Sequence, residues 1–439
     1  MAWNLLSEIC AKLIDYIKEI LFSTDFVNRH KKSPKDFIRD RKLTFQTIFL
    51  FLINFIKGSY QDELDHFFKA LFRLDVAISF VTKMAFSLAR KKMKATAFIE
   101  MNRHLIEFFE THFQNRKRWC GFNLLAVDGS GQKLFKYSDV IEHFGTMKPK
   151  KGPECAMARI SQLYDVLNKV TVDAIISPYK IGERELLRRH VINLLPDDLL
   201  LLDRGYPAYW VFNLILSQGA NFCARINKQW KVVQEFADSG LKEEIIDLTP
   251  SYESKVESLE MGLDTKPLKL RLVRVELDTG EIEVLITSLL DDQQYPHKIF
   301  KDLYHKRWPV ETDYLFIKKR IELGNFSGKT ALSVYQDFHA KVFAKNLTFI
   351  LASPAQEVVA SQSEDKKHLH QINQTEAISK SKDTLFLLFE RPKEMVLLLI
   401  RQIQELFISS TEPIRPGRKF ERNHKMNKRE YFMNYKPCR

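Results

Sequence analysis

Apolar residues recur every three or four positions through the first quarter of the chain, as in Leu5, Ile9, Leu13, Ile17 and Ile20. That spacing lines one face of a helix, and it predicts an all-helical stretch over residues 1–118. Near Cys120 the pattern changes. GFNLLAVDGSGQKLFKY reads as a buried strand, a Gly-rich turn and a second strand, and NKVTVDAIISP and NFCARIN read as further strands. ERELLRRHVINLL and AYWVFNLILSQG have helical spacing, while DDLLLLDRGYP gives a wholly apolar strand ending at Asp203. Strands without alternation predict a sheet covered on both faces.

Residues 227–290 interrupt this pattern. LKLRLVRVEL alternates apolar and polar residues from Leu268, with a phase slip at Leu272-Val273 that points to a bulge. DTG then turns the chain into EIEVLITSLL, a hairpin in a small β-rich insertion. Helical periodicity resumes at Pro296. An interior proline costs a helix ~3 kcal/mol but is tolerated at its first position, so a helix is expected from Pro309 to about Leu323. Glu311 then falls in the first turn, where the helix dipole favours a carboxylate, and Glu311 and Lys318 share a face. The composition turns polar from Gln356 to Asp383, which predicts a loop or linker. Leu385 to Ile408 is apolar and helical with a break at Pro392, and the tail beyond Thr411 is basic and aromatic. The expected class is α/β, with a helical domain at 1–118, an α/β domain at 119–355 interrupted by the insertion at 227–290, and a C-terminal region at 356–439.

Charge narrows the partners. Lys and Arg number 68 against 55 Asp and Glu, a formal charge of +13. Such an excess favours a polyanion, because neutralising phosphates releases counterions. Basic clusters lie at NRHKKSPKDFIRDRK and ARKKMK, and Lys31, Lys32 and Lys35 are candidates for gripping DNA; the alternative is a solvated helical face. The five cysteines form no Cys-x-x-Cys pair, which argues against a zinc site or a disulfide framework. No P-loop or other nucleotide fingerprint appears. The longest apolar run, Ile48 to Ile56, is too short for a bilayer, and the first residues lack a secretory signal. A soluble, intracellular protein is expected.

Two aspartates each close an apolar run: Asp128 follows Leu-Leu-Ala-Val and precedes Gly129, and Asp203 follows four leucines and precedes Arg204-Gly205. Ligands of open α/β sheets bind at such strand ends. An ionised aspartate there needs compensation, which a cation supplies; a turn or cap aspartate is the plainer reading of each. Downstream, Tyr304, Arg307, Glu311 and Lys318 form Tyr-x2-Arg-x3-Glu-x6-Lys. Three carboxylates without a His/Cys cluster suit magnesium and phosphoryl chemistry.

Together these residues resemble the DDE transposases of the insertion sequence 4 family, which carry all four positions of that signature around their third acid; DGS at Asp128 and DRGY at Asp203 resemble the first two acidic motifs. The resemblance is good from about Cys120 to Thr330. It implies a ribonuclease H-like catalytic core with a β-rich insertion before the third acid, and a triad of Asp128, Asp203 and Glu311 holding Mg2+ or Mn2+. It implies cleavage of double-stranded DNA at terminal inverted repeats and joining to target DNA, in some members through a hairpin. Tyr304 and Arg307 would contact phosphates, and Lys318 the terminal strand. Trp308 could stack on a displaced base or lie in the core. A homodimer on paired ends is implied, with Leu385–Ile408 either its contact or packed on its own chain. Two other functions stay open: a catalytically inactive DNA-binding descendant, and a metal-dependent nuclease without strand transfer.

Overall fold

A computed structural model describes residues 2–39, 41–149, 152–227, 229–277, 280–415, 431 and 436–437. Most of the basic tail and the Asp278-Thr279 turn lie outside the described residues. Six helices come first: α1 (Ala2–Phe22), α2 (Thr24–His30), α3 (Phe45–Leu52), α4 (Tyr60–Phe72), α5 (Lys83–Arg90) and α6 (Thr96–His112). Then follow β1 (Asn123–Lys133), α7 (Ser138–Phe144), β2 (Thr146–Met147), β3 (Cys155–Asp165), β4 (Val170–Pro178), α8 (Glu183–Val191), β5 (Asp198–Leu202), α9 (Tyr209–Ser217) and β6 (Asn221–Arg225). Next come α10 (Lys231–Ser239), β7 (Glu243–Leu248), α11 (Tyr252–Glu260), β8 (Leu268–Glu276), β9 (Ile282–Thr287), α12 (Phe300–His305) and α13 (Pro309–Lys319). The last elements are α14 (Ala331–Ser361), β10 (His370–Ile372), α15 (Gln374–Ser381), α16 (Leu387–Glu390), α17 (Lys393–Ile408) and β11 (Thr411–Pro413).

The chain divides into two compact units, one of residues 1–115, 133–157 and 316–439, the other of 116–132 and 158–315. The first is built around α14, which is buried on most sides and packs against α1, α3, α6, α15 and α17. Phe49 stacks on Phe98 with ring centroids 4.6 Å apart and meets Phe343 edge-on. Several polar groups buried there are paired, which offsets the cost of their burial. Arg90 bonds Asp337 at 2.8 Å, Gln336 at 2.9 Å and Ser327 at 2.8 Å. Gln404 of α17 accepts from Ser7 and Trp3 of α1 at 2.7 and 3.1 Å. The inner face of α17, Val396, Ile400, Ile403 and Phe407, is therefore spent on packing within this unit. The polar stretch expected to be a linker is instead ordered, because Gln356 binds Ile372 and Asn373 caps α15.

The second unit holds a mixed sheet. Parallel pairs join β1 to β5 and β5 to β6; β6 pairs antiparallel with β9, β9 with β8, and β8 with β7. On the other side β3 neighbours β1 and pairs antiparallel with β4. Two sequence expectations change here. The β8–β9 hairpin forms, but it extends the main sheet, and its register runs through Leu272 and Val273 without a slip. The broken alternation reflects burial of both faces from Leu270 to Val273, where Arg271 is buried and paired with Glu243. The Gly-rich turn after Asp128 is also absent, since β1 continues straight through it to Lys133.

Candidate active site

Asn123 to Val127 and Asp198 to Leu202 are buried on both faces, so β1 and β5 run side by side in the sheet interior. Their register pairs Ala126 with Leu201, which carries on to place Asp128 level with Asp203 at one end of the sheet. Adjacent strands stand about 4.8 Å apart. The next strand extends the row: β5 pairs Leu202 with Ala224, and Arg225 follows, its Nε 4.0 Å from Asp203 Oδ1. Arg225 also binds Glu283 at 2.6 Å.

Glu311 comes from α13, which starts at Pro309 as the proline rule requires. One turn on, the Tyr314 hydroxyl donates to the Asp128 carbonyl at 2.7 Å. Residues three apart share a helix face, so this bond holds Glu311 beside the middle of β1, at Asp128. Arg307 lies in the turn between α12 and α13, buried, with Nη2 2.6 Å from Glu311 Oε1. Its guanidinium sits 5.9 Å from the Tyr304 ring. Tyr304, at the end of α12, is half-buried, and its buried hydroxyl makes no hydrogen bond among the described residues; the hydroxyl of Tyr206, a buried residue in the turn after Asp203, makes none either.

Electrostatics tie these groups together. Burial pushes the Asp128 carboxyl up to about 6; the charges of Glu311 and Glu183 add to this, while the Gly129 amide and Arg307 oppose it. Burial likewise pushes Tyr206 up, helped by Asp128, Glu183 and Asp203. Asp128, Asp203, Glu311, Arg307 and Tyr304 are thus brought to one place. Trp308 beside them is 48% exposed. Lys318 occupies the last turn of α13, half-buried. Lys31, Lys32 and Lys35 belong to the helical unit, where Lys31 ends α2 and Lys32 bonds the Lys92 carbonyl.

Sequence reasoning missed Glu183. It opens α8 and is held by Arg159 at 2.7 Å. A Cβ added at Gly129 would stand 2.8 Å from Glu183 Cγ. The residue after Asp128 is therefore glycine because a fourth carboxylate side chain crosses over it. That glycine, beside a first acid, was the available signal. Tyr314 could have been found from its spacing to Glu311.

The donor set, all carboxylate oxygen with a buried aspartate short of counter-charge, suits a hard divalent cation. Among the described residues, however, no three of His, Cys, Asp and Glu already stand close enough to hold one ion. Arg307 pairs with Glu311, and Arg225 lies near Asp203. Among the described residues no helix is long and apolar enough to cross a membrane.

The family model described as "Transposase DDE domain" matches residues 119–347, just over half the chain. The transposase InsG for insertion sequence element IS4 of Escherichia coli (strain K12) is 22% identical over 245 residues, 52% of each chain. The match thus spans about half the length of that relative. A piggyBac transposase synaptic complex with hairpin DNA aligns over 95% of this chain and 88% of that one, at 11% identity and a TM-score of 0.43, too slight a likeness to argue from. On the family match and the motifs that carry it, the chain belongs to the DDE transposases of the insertion sequence 4 family.

Proposed function

We propose that this protein is an active DNA transposase whose Asp128, Asp203 and Glu311 hold divalent metal, Mg2+ or Mn2+, at the end of a ribonuclease H-like sheet. The observation that carries the reading is the placement of the three acids. Register sets Asp128 level with Asp203, and the Tyr314 bond pins the Glu311 helix to Asp128. The sheet order β4-β3-β1-β5-β6, with β1, β5 and β6 parallel and β3–β4 antiparallel, supports the ribonuclease H-like core.

When bound, the metal would activate the nucleophile and stabilise the leaving oxygen. The chain's own residues do the rest. Asp128 and Asp203 present oxygens from the rigid sheet interior, and Tyr314 fixes the height of Glu311. Arg307, buried and paired with Glu311, would offer its guanidinium to the substrate phosphate, and Tyr304 beside it has a free hydroxyl for the same phosphate. In cleavage, a water oxygen bonds phosphorus and the bridging O3′ leaves with a proton. In joining, the freed 3′-hydroxyl attacks a target phosphate and another O3′ leaves. Exposed Trp308 stacks on a displaced base, and Lys318 contacts the terminal strand. A homodimer on paired inverted repeats processes two ends together.

The test is cleavage and joining with duplexes carrying the flanking inverted repeats, in Mg2+ and in Mn2+. Wild-type protein should cut and join; Asp128→Asn, Asp203→Asn and Glu311→Gln should each bind DNA and do neither. Cleavage without joining would make the protein a nuclease. Binding without cleavage by wild type would make it an inactive descendant.

A further inference from the structure

The helical unit contains a second feature the carboxylate site does not use. A cleft of about 780 Å3 opens between the 35–43 segment and α5 with the residues that flank it, Phe80 to Thr82 and Lys92. That is the size of a small-ligand pocket. Its floor is apolar, with Phe37, Phe80 and the 56%-exposed Leu88. Its rim is cationic, with Lys35, Arg39, Arg41 and Lys42. No carboxylate lines it among the described residues. Lys92, also at the rim, is held by Asp36 at 3.7 Å, but the other four make no ion pair among the described residues.

Two details show how the floor is held. Phe37 has φ +59°, a left-handed backbone that a bulky side chain rarely adopts, and its ring is fixed edge-on against Phe45. Phe80 is braced by Phe68 and Phe72 at 5.1 and 4.9 Å, and Lys42 Nζ lies 3.9 Å over its ring. A cation resting on an aromatic face marks a flat surface to which a planar π-system can also bind.

We propose that this cleft takes an unpaired nucleotide of DNA, the base on the Phe37–Phe80 floor in place of Lys42 and the flanking phosphates on Arg39, Arg41 and the displaced Lys42. Paired DNA would use the rim alone, since its bases are stacked inside the duplex. The aromatic floor with a cationic rim matches what binds single strands. The inference rests on DNA as the substrate class proposed above, not on the carboxylates.

The experiment uses the full chain in EDTA, so that no cleavage occurs. Fluorescence anisotropy measures affinity for a single-stranded oligonucleotide, its full duplex, and the duplex with one unpaired nucleotide. Wild type should prefer the DNAs with an unpaired nucleotide by about tenfold, the low end of what stacking one base supplies. Leu88→Glu, at an exposed position of the floor, should abolish the preference, all three DNAs then binding alike. Arg39→Ala with Arg41→Ala should lower the salt slope for the unpaired DNA by about two. Equal affinity of wild type for all three DNAs, or a preference that survives Leu88→Glu, would overturn the proposal and leave the carboxylate reading intact. Failure to bind any DNA would sink both. An acidic amphipathic peptide that displaces the oligonucleotide from wild type but not from Leu88→Glu would assign the cleft to a protein partner instead.

Discussion

Lys341 should make the stability of the helical unit depend on pH in a way one substitution can invert. Its ammonium is buried in α14 and donates to the carbonyls of Glu322 and Asn325 at 3.0 and 3.2 Å. Burial lowers its pKa from 10.5 to about 7, with Lys436 and Lys57 adding to this and Asp337 and Glu322 opposing. Above pH 10.5 the lysine is neutral folded and unfolded, and it carries no penalty. As pH falls, the unfolded chain takes up the proton first, so stability declines until the folded chain follows near pH 7. The full cost there is about 4–5 kcal/mol at ~1.36 kcal/mol per pH unit. Lys341→Met removes that cost but strands two buried carbonyls, a loss of about 2–3 kcal/mol for the pair. The variant should therefore be more stable than wild type by roughly 2 kcal/mol at pH 6 and less stable by about the same amount at pH 10. Urea unfolding followed by circular dichroism at both pH values reads the sign directly. A variant that loses the same stability at pH 6 and pH 10 would refute the reasoning.

Gly129→Ala should cost about 1–3 kcal/mol by overpacking against Glu183, seen as a lower Tm, and Glu183→Ser should restore most of it. Glu183→Gln removes a charge that raises the Asp128 carboxyl, so the acid limb of the cleavage pH profile should move to lower pH; no movement would detach Glu183 from the reaction. Tyr314→Phe gives up the bond to the Asp128 carbonyl and should lose about 1 kcal/mol of stability, with cleavage falling further than DNA affinity in gel shift. Arg307→Ala uncovers Glu311 and should reduce cleavage by about 100-fold or more with little change in DNA affinity; equal losses in both would make Arg307 a simple DNA contact.

Much of this was legible because local rules and tertiary structure agreed. Apolar runs ending in Asp128 and Asp203 became adjacent buried strands, and Pro309 became the first residue of its helix. Where the reading failed, a partner distant in sequence decided the outcome. Gly129 read as a turn, yet it serves an extended strand under Glu183, a contact made 54 residues away in a helix whose first residue gave no sign of it. Residues 356–383 read as linker from their polarity, but Asn373 and Gln356 satisfy backbone amides and so build order from polar side chains. Arg271 broke an alternation that both buried faces had already suspended.

The packing of α1 on α17 sets a timetable for synthesis. Cys10, Leu13, Ile14 and Ile17 have no solvent exposure in the finished fold, and much of what covers them comes from α14 and α17. At translation rates of roughly 5–20 residues per second, α1 leaves the ribosome some 20–80 seconds before α17 is made. Through that interval only α2 and α6, made soon after it, can cover its apolar stripe. A helix made early is thus completed late, and until α14 and α17 arrive its stripe is apolar surface open to misassembly.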